Sequence, residues 1–278
     1  MSLPWNKSLQ LHVGLGHVTG VLRPAWSSHR ILARSRHDFA RPASSQGIVA
    51  TAASAAPCRN AIEAVLTEMR GAVAPRRAID LRIVLPGSRV HFDVVSGDYG
   101  GASDRHLQSI ATACVVEMLG DAAAHQMVRW QLQRDMRHLL IASMDTEEVE
   151  DLIQVSLQNR YSLQSVQPDF CTQWNHHIHA LQGNNGVFAS LCETHLVVAF
   201  VVKGSITALS CGPIPVDLHR PPRNAELTNA VDARVDRLLS SVGQTPSEIS
   251  TFILVAPEQG FVPITARWTL SNPSEDAA

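Results

Sequence analysis

Residues Gly186–Cys211 read Gly-Val-Phe-Ala-Ser-Leu-Cys, a polar pair at Glu193-Thr194, His-Leu-Val-Val-Ala-Phe-Val-Val, a break at Lys203-Gly204, and Ser-Ile-Thr-Ala-Leu-Ser-Cys before Gly212. Three short runs rich in β-branched residues, split by tight polar turns, predict an antiparallel β-meander. The middle run, Leu196–Val202, is apolar throughout. It therefore predicts a strand well inside a sheet and covered on both faces.

The same device opens the chain. Leu9–Val13, a turn at Gly14-Leu15-Gly16, Val18–Leu22 and Arg30–Arg36 again read as three strands. A helix and a further strand follow each meander. A meander used twice, each time opening an α/β half, is a weak internal repeat.

The length of 278 residues fits one large domain or two smaller ones. Hydrophobic residues make up 45% and charged residues 17%, enough for sizeable cores. A net charge of −2 argues against general nucleic-acid binding, which needs a basic surface. The positive charge is nearly all arginine, the lysines being Lys7 and Lys203. The five cysteines, Cys58, Cys114, Cys171, Cys192 and Cys211, are scattered and form no CxxC pair. That pattern suits buried thiols in a reducing compartment better than a disulfide framework or a thiolate zinc site. The N-terminus lacks signal-peptide features. The apolar run Leu196–Val202 is far shorter than the roughly twenty residues of a membrane span.

Taken in order, Ala40–Pro57 is rich in Ala, Ser and Pro and reads as a flexible loop. Ile62, Val65, Leu66 and Met69 set a helical stripe from about Arg59 to Val73. Ile79–Leu85 is a strand. Residues 88–143 read as a small inserted αβ subdomain: an alternating strand Arg89–Val95, a glycine-bearing loop Ser96–Ser103, a helix from Asp104 to Leu119 capped by Ser103 or Asp104, and two strands near Val128–Leu132 and His138–Ser143. A helix after Met144 opens on Glu147, Glu148, Glu150 and Asp151, charges that complement the helix dipole. A strand Leu163–Val166 and a helix Asp169–Leu181 complete a first half of residues 1–185, and Gln182–Gly186 is a hinge candidate. The second half, 186–278, adds to its meander a helix Asn224–Ser241, a capping box at Thr245–Glu248, a strand Thr251–Val255 and a last strand Pro263–Trp268.

The candidate chemistry is sparse. Gly14 and Gly16, with Gly20, faintly match a phosphate-binding turn, but a strand follows where a helix N-terminus is required, so a hairpin is the favoured reading. His176 and His179 sit one helical turn apart but lack a third ligand, so a polar helix face is favoured over a metal site. Asp93, Asp98, His91 and His106 cluster around the Ser96–Ser103 loop, where helix capping is the simpler account. No Ser or Cys lies in a nucleophile-elbow pattern, and Cys192 and Cys211 read as structural strand residues. No catalytic, cofactor or metal site is predicted.

The order of elements resembles the actin-like (ribonuclease H-like) ATPase fold, two halves each opened by a meander, with an αβ insertion in the first. Leu81-Arg-Ile-Val-Leu-Pro-Gly-Ser-Arg-Val90, Ser165-Val-Gln-Pro168 before a helix carrying Trp174, and Thr251-Phe-Ile-Leu-Val-Ala-Pro257 are similar to passages of the PilM family and the cytoplasmic part of GspL, which serve type IV pili and type II secretion. Nucleotide-binding members of that fold place an acidic residue and glycines in each meander turn. Here the first position falls near His12, followed by Gly14, and the second turn reads Ser190-Leu-Cys-Glu193-Thr194, with Glu193 a lone carboxylate. An adenosine loop rich in glycine is not visible late in the chain. The resemblance thus implies a cytoplasmic, nucleotide-independent adaptor without cofactor. It would bind the cytoplasmic segment of an inner-membrane platform protein and a secretion or pilus motor ATPase, and meet the membrane only through partners. Its rivals are a divergent ATP-binding enzyme of the actin or sugar-kinase fold and a metal protein built on His176 and His179.

Overall fold

The computed structural model describes residues 7–24, 30–40, 52–72, 79–192, 195–214, 224–255 and 269–271. The elements run β1 (Lys7–Val13), β2 (His17–Pro24), β3 (Ala33–Asp38), α1 (Ala52–Gly71), β4 (Ile79–Leu85), β5 (His91–Ser96), α2 (Asp104–Leu119), β6 (Gln126–Leu132) and β7 (His138–Asp145). They continue with α3 (Thr146–Gln158), β8 (Tyr161–Pro168), α4 (Asp169–His177), β9 (Asn185–Cys192), β10 (His195–Val202), β11 (Ser205–Pro213), α5 (Asn224–Ser241), β12 (Thr251–Val255) and β13 (Thr269–Ser271).

Two five-stranded sheets share one topology, β3-β2-β1-β4-β8 and β11-β10-β9-β12-β13. In each, an antiparallel meander is extended by parallel strands beside its first strand. The repeat of the sequence is therefore a repeat of strand order. Among the described residues, 7–86 with 147–168 form one compact unit, and 87–146 with 169–271 form another.

In the first unit, α1 and α3 run parallel. Arg59 pairs with Asp151 at 3.1 Å, Thr67 with Asn159 at 3.4 Å, and Arg70 donates to the Arg160 carbonyl at 3.2 Å. Val65, Leu66, Ile62 and Met69 of α1 are buried, as are Leu9 and Leu11 of β1. A methyl placed on Gly20 would lie 2.5 Å from Cγ1 of Val65, so this glycine lets α1 close on β2. Packing, not phosphate, accounts for Gly20.

In the second unit the apolar middle strand is covered twice. Leu196, Val198 and Phe200 meet Val231, Val235 and Leu239 of α5 on one face. Val197, Ala199 and Val201 lie in a second core with Phe170 and Trp174 of α4 and with Phe92 and Leu140 of the small sheet β5-β7-β6. Phe92, Phe170 and Phe188 form a chain of tilted rings at 5.5 and 5.7 Å. The far face of the small sheet packs on Leu107, Ala111 and Val115 of α2, which Ser103 caps by accepting from the His106 N–H at 3.3 Å.

Several boundaries differ from the expectation, among them the third strand, read over Arg30–Arg36 and found over Ala33–Asp38. Helix α1 starts at Ala52, seven residues before Arg59, with Pro57 inside it. Alanine-rich sequence favours helix strongly enough to absorb one proline near its start. The strand read over Leu163–Val166 spans Tyr161–Pro168, because parallel pairing with β4 extends it at both ends. Helix α4 ends at His177, and Ile178–Leu181 is a 3-10 turn. The strand expected over Pro263–Trp268 and the residues 41–51 of the expected loop lie outside the described residues.

Candidate functional site

The first meander turn is a closed hairpin. The N–H of Gly14 donates to the His17 carbonyl at 2.8 Å, and that of Phe39 to the Gly16 carbonyl at 2.9 Å. Gly14 thus spends its donor inside the turn. Beside it, at the end of β1, stands His12. Burial lowers its pKa to about 4, with the positive charges of Arg23, Arg34 and His17 adding to the effect. The imidazole is neutral at physiological pH and sits in a positive field. Magnesium requires oxygen ligands, usually carboxylate. A neutral imidazole at this position supplies no oxygen ligand, so it does not fit magnesium.

Glu193 and Thr194 of the second turn lie outside the described residues. On and beside the strands flanking that turn lie two polar groups that the sequence did not single out. Asp169, at the first turn of α4, accepts from Ser190 of β9 at 3.4 Å. Burial raises its pKa, against the opposing hydrogen bonds from Gln173 and Ser190. Its one sequence signal was its place at a helix start, after Pro168. A buried carboxylate of raised pKa is suited to proton transfer. Cys171 beside it is no nucleophile, because burial and Asp169 push its thiol up to about 12.

His195 opens β10 opposite Pro213 of β11. Arg234 of α5 donates to the Pro213 carbonyl at 3.0 Å, and its guanidinium occupies the space left by Gly212, where a methyl would lie 2.8 Å from Nη1. Burial, then Arg234 and His91, lower the His195 pKa to about 4. Its Nε2 is buried with no hydrogen-bond partner among the described residues.

The remaining candidates stand apart. The ring of His176 packs edge-on against His177 at 4.9 Å, while His179 lies in the 3-10 turn with its Nδ1 bonded to Gln182 at 3.1 Å. His176 thus lies in α4 and His179 in the 3-10 turn that follows it. Asp98 accepts from the Gly100 N–H at 3.2 Å and so serves its own loop. Asp93 accepts from the Val94 N–H at 2.8 Å. Among the described residues no group of three or more His, Cys, Asp or Glu is placed to hold a metal, and no helix is long and apolar enough to cross a membrane.

No family model matches the sequence, and no curated protein matches it. Solved structures do. The cytoplasmic domain of EpsL, an inner membrane component of the type II secretion system of Vibrio cholerae, aligns with a TM-score of 0.58 at 9% identity, over 98% of this chain and 92% of that one. A Bacteroides thetaiotaomicron protein with actin-like ATPase fold aligns at 0.51 and 5% identity, over 90% and 81%.

The chain has the actin-like ATPase fold.

A chain of the PilM–PilN type IV pilus biogenesis complex aligns as well, with a TM-score of 0.59 at 10% identity, over 99% of this chain and 83% of that one. The actin-like likeness lies in strand order and element placement, since so few residues coincide.

Proposed function

We propose that the chain is a cytoplasmic scaffold of a type IV pilus or type II secretion inner-membrane platform and works without nucleotide hydrolysis. The observation that carries this reading is the extent of the likeness. The actin-like fold matches the EpsL cytoplasmic domain and a chain of the PilM–PilN complex over nearly the whole of this chain and most of each of those. The neutral His12 and the self-bonded Gly14 turn support the loss of nucleotide chemistry. Its partners are the cytoplasmic segment of an inner-membrane platform protein and a secretion or pilus motor ATPase. The test is affinity purification of the tagged chain from gently solubilised native cells. Recovery of a platform protein or motor is the expected result; recovery of the chain alone sinks the reading.

Asp169 favours a second reading, a divergent ATP-binding enzyme, because a buried carboxylate of raised pKa is a proton-transfer group. That reading requires magnesium-dependent ATP binding. A flat calorimetric titration with ATP and magnesium in excess removes it.

A further inference from the structure

We propose that the outer edge of β3 receives an extended acidic segment of a partner protein, which joins the sheet as an added strand. The proposal rests on the scaffold reading only for the origin of that segment; the edge itself is independent of it.

β3 ends its sheet, and no described strand pairs with its outer row of N–H and C=O groups. An unpaired edge is a template for another strand. This one is held ready. On the face turned to α1, Ser35 donates to Glu68 at 2.5 Å and His37 bonds the same carboxylate oxygen at 3.1 Å. Just before the strand, Ile31 and Leu32 are 46% and 39% exposed, two large apolar side chains beside the edge.

The charge selects the occupant. Arg30 and Arg34 are exposed and pair with no described carboxylate, and Arg36 pairs with Asp38 at 3.0 Å. Register places Arg34, Val21, Gln10 and Arg82 in one row across the sheet, and Arg36, Thr19 and His12 in the next. Strands lie about 4.8 Å apart, so an added strand with carboxylates on alternate residues would set them beside Arg34 and Arg36. Arg23 and Arg34 also add to the lowering of the His12 pKa, whose first cause is burial. A second copy of β3 would bring arginines against arginines, which disfavours self-pairing.

The test uses the full chain and a fluorescent, blocked peptide of alternating Glu and Val, about as long as β3. Binding is followed by anisotropy at low salt and at about 0.5 M salt. The peptide is expected to bind and to protect the β3 amides from hydrogen exchange. The Lys-for-Glu peptide and a version N-methylated on alternate amides are each expected to bind at least about tenfold more weakly. An R30E/R34E variant, with folding checked by circular dichroism, is expected to lose the acidic peptide by a similar factor. No binding, equal binding of the N-methylated peptide, or protection confined to another strand overturns the proposal. Each of those results leaves the partner-capture experiment untouched, so the two failures are distinct.

Discussion

The side-chain carbonyl of Gln133 accepts a hydrogen bond from the backbone N–H of Ile206 at 3.0 Å, and both residues are buried. The bond joins the β6–β7 turn to the start of β11, so it fastens the small sheet to the large one within the second unit. Its length in sequence, from a turn to a distant strand, makes it invisible to any local reading.

Truncating Gln133 to Ala leaves the Ile206 N–H buried without an acceptor. That costs the desolvation of the donor, roughly 1–3 kcal/mol. Urea unfolding of Q133A is expected to show an unfolding free energy lower by that amount, read as a lower midpoint with the slope kept. An unchanged midpoint would show that the contact contributes nothing net.

Gly20 gives a second test. Ala at this position drives a methyl into Val65 and is expected to cost about 1–3 kcal/mol. Shortening Val65 opens the space, so G20A combined with V65A should be more stable than the sum of the single costs predicts. Strict additivity in the cycle would show that the two side chains do not compete for one space.

The sequence was legible where a pattern is local and repeated. The runs and turns of the two meanders, the α2 stripe and the Thr245–Glu248 capping box, whose Glu248 accepts from the Thr245 N–H at 2.7 Å, all describe real elements. It was less legible where composition misleads, as in the Ala- and Pro-bearing start of α1. The polar groups of the second unit were missed for a different reason. Asp169 meets Ser190, and His195 enters the field of Arg234, only through strand pairing and helix packing, and each taken alone is an ordinary cap, strand or helix residue.

His195 makes stability depend on acid. Its imidazole titrates near 6.5 in the unfolded chain and near 4 in the fold, so the unfolded chain takes up the proton first. The stability associated with the neutral ring is present above about pH 6.5. It is lost as pH falls toward 4, by on the order of 3 kcal/mol. Replacing His195 by Leu removes both the titration and the buried, unpartnered Nε2. The variant is expected to match or exceed the parent at pH 7 and to show a shallower acid limb, the remainder owing to the other groups of lowered pKa, His12 and His91 among them. An acid limb as steep as the parent's would place the proton uptake elsewhere.

Asp169 acts with the opposite sign. Burial raises its pKa in the fold, so the folded chain holds this proton more tightly than the unfolded chain does. Stability from the protonated form is full below the ordinary carboxylate range and declines as pH rises through the folded pKa. Asn keeps an acceptor for Ser190 and cannot ionise, so D169N is expected to melt higher than the parent at pH 7. The gap should close as the pH is lowered toward 4. The variant also separates the two functional readings. A scaffold loses nothing when this carboxylate is neutralised, so D169N should capture the same partners as the parent. An enzyme that uses Asp169 to move a proton should keep its fold, gain stability and lose turnover. A variant that melts lower at pH 7 would mean that the charged carboxylate is held by contacts stronger than its burial cost.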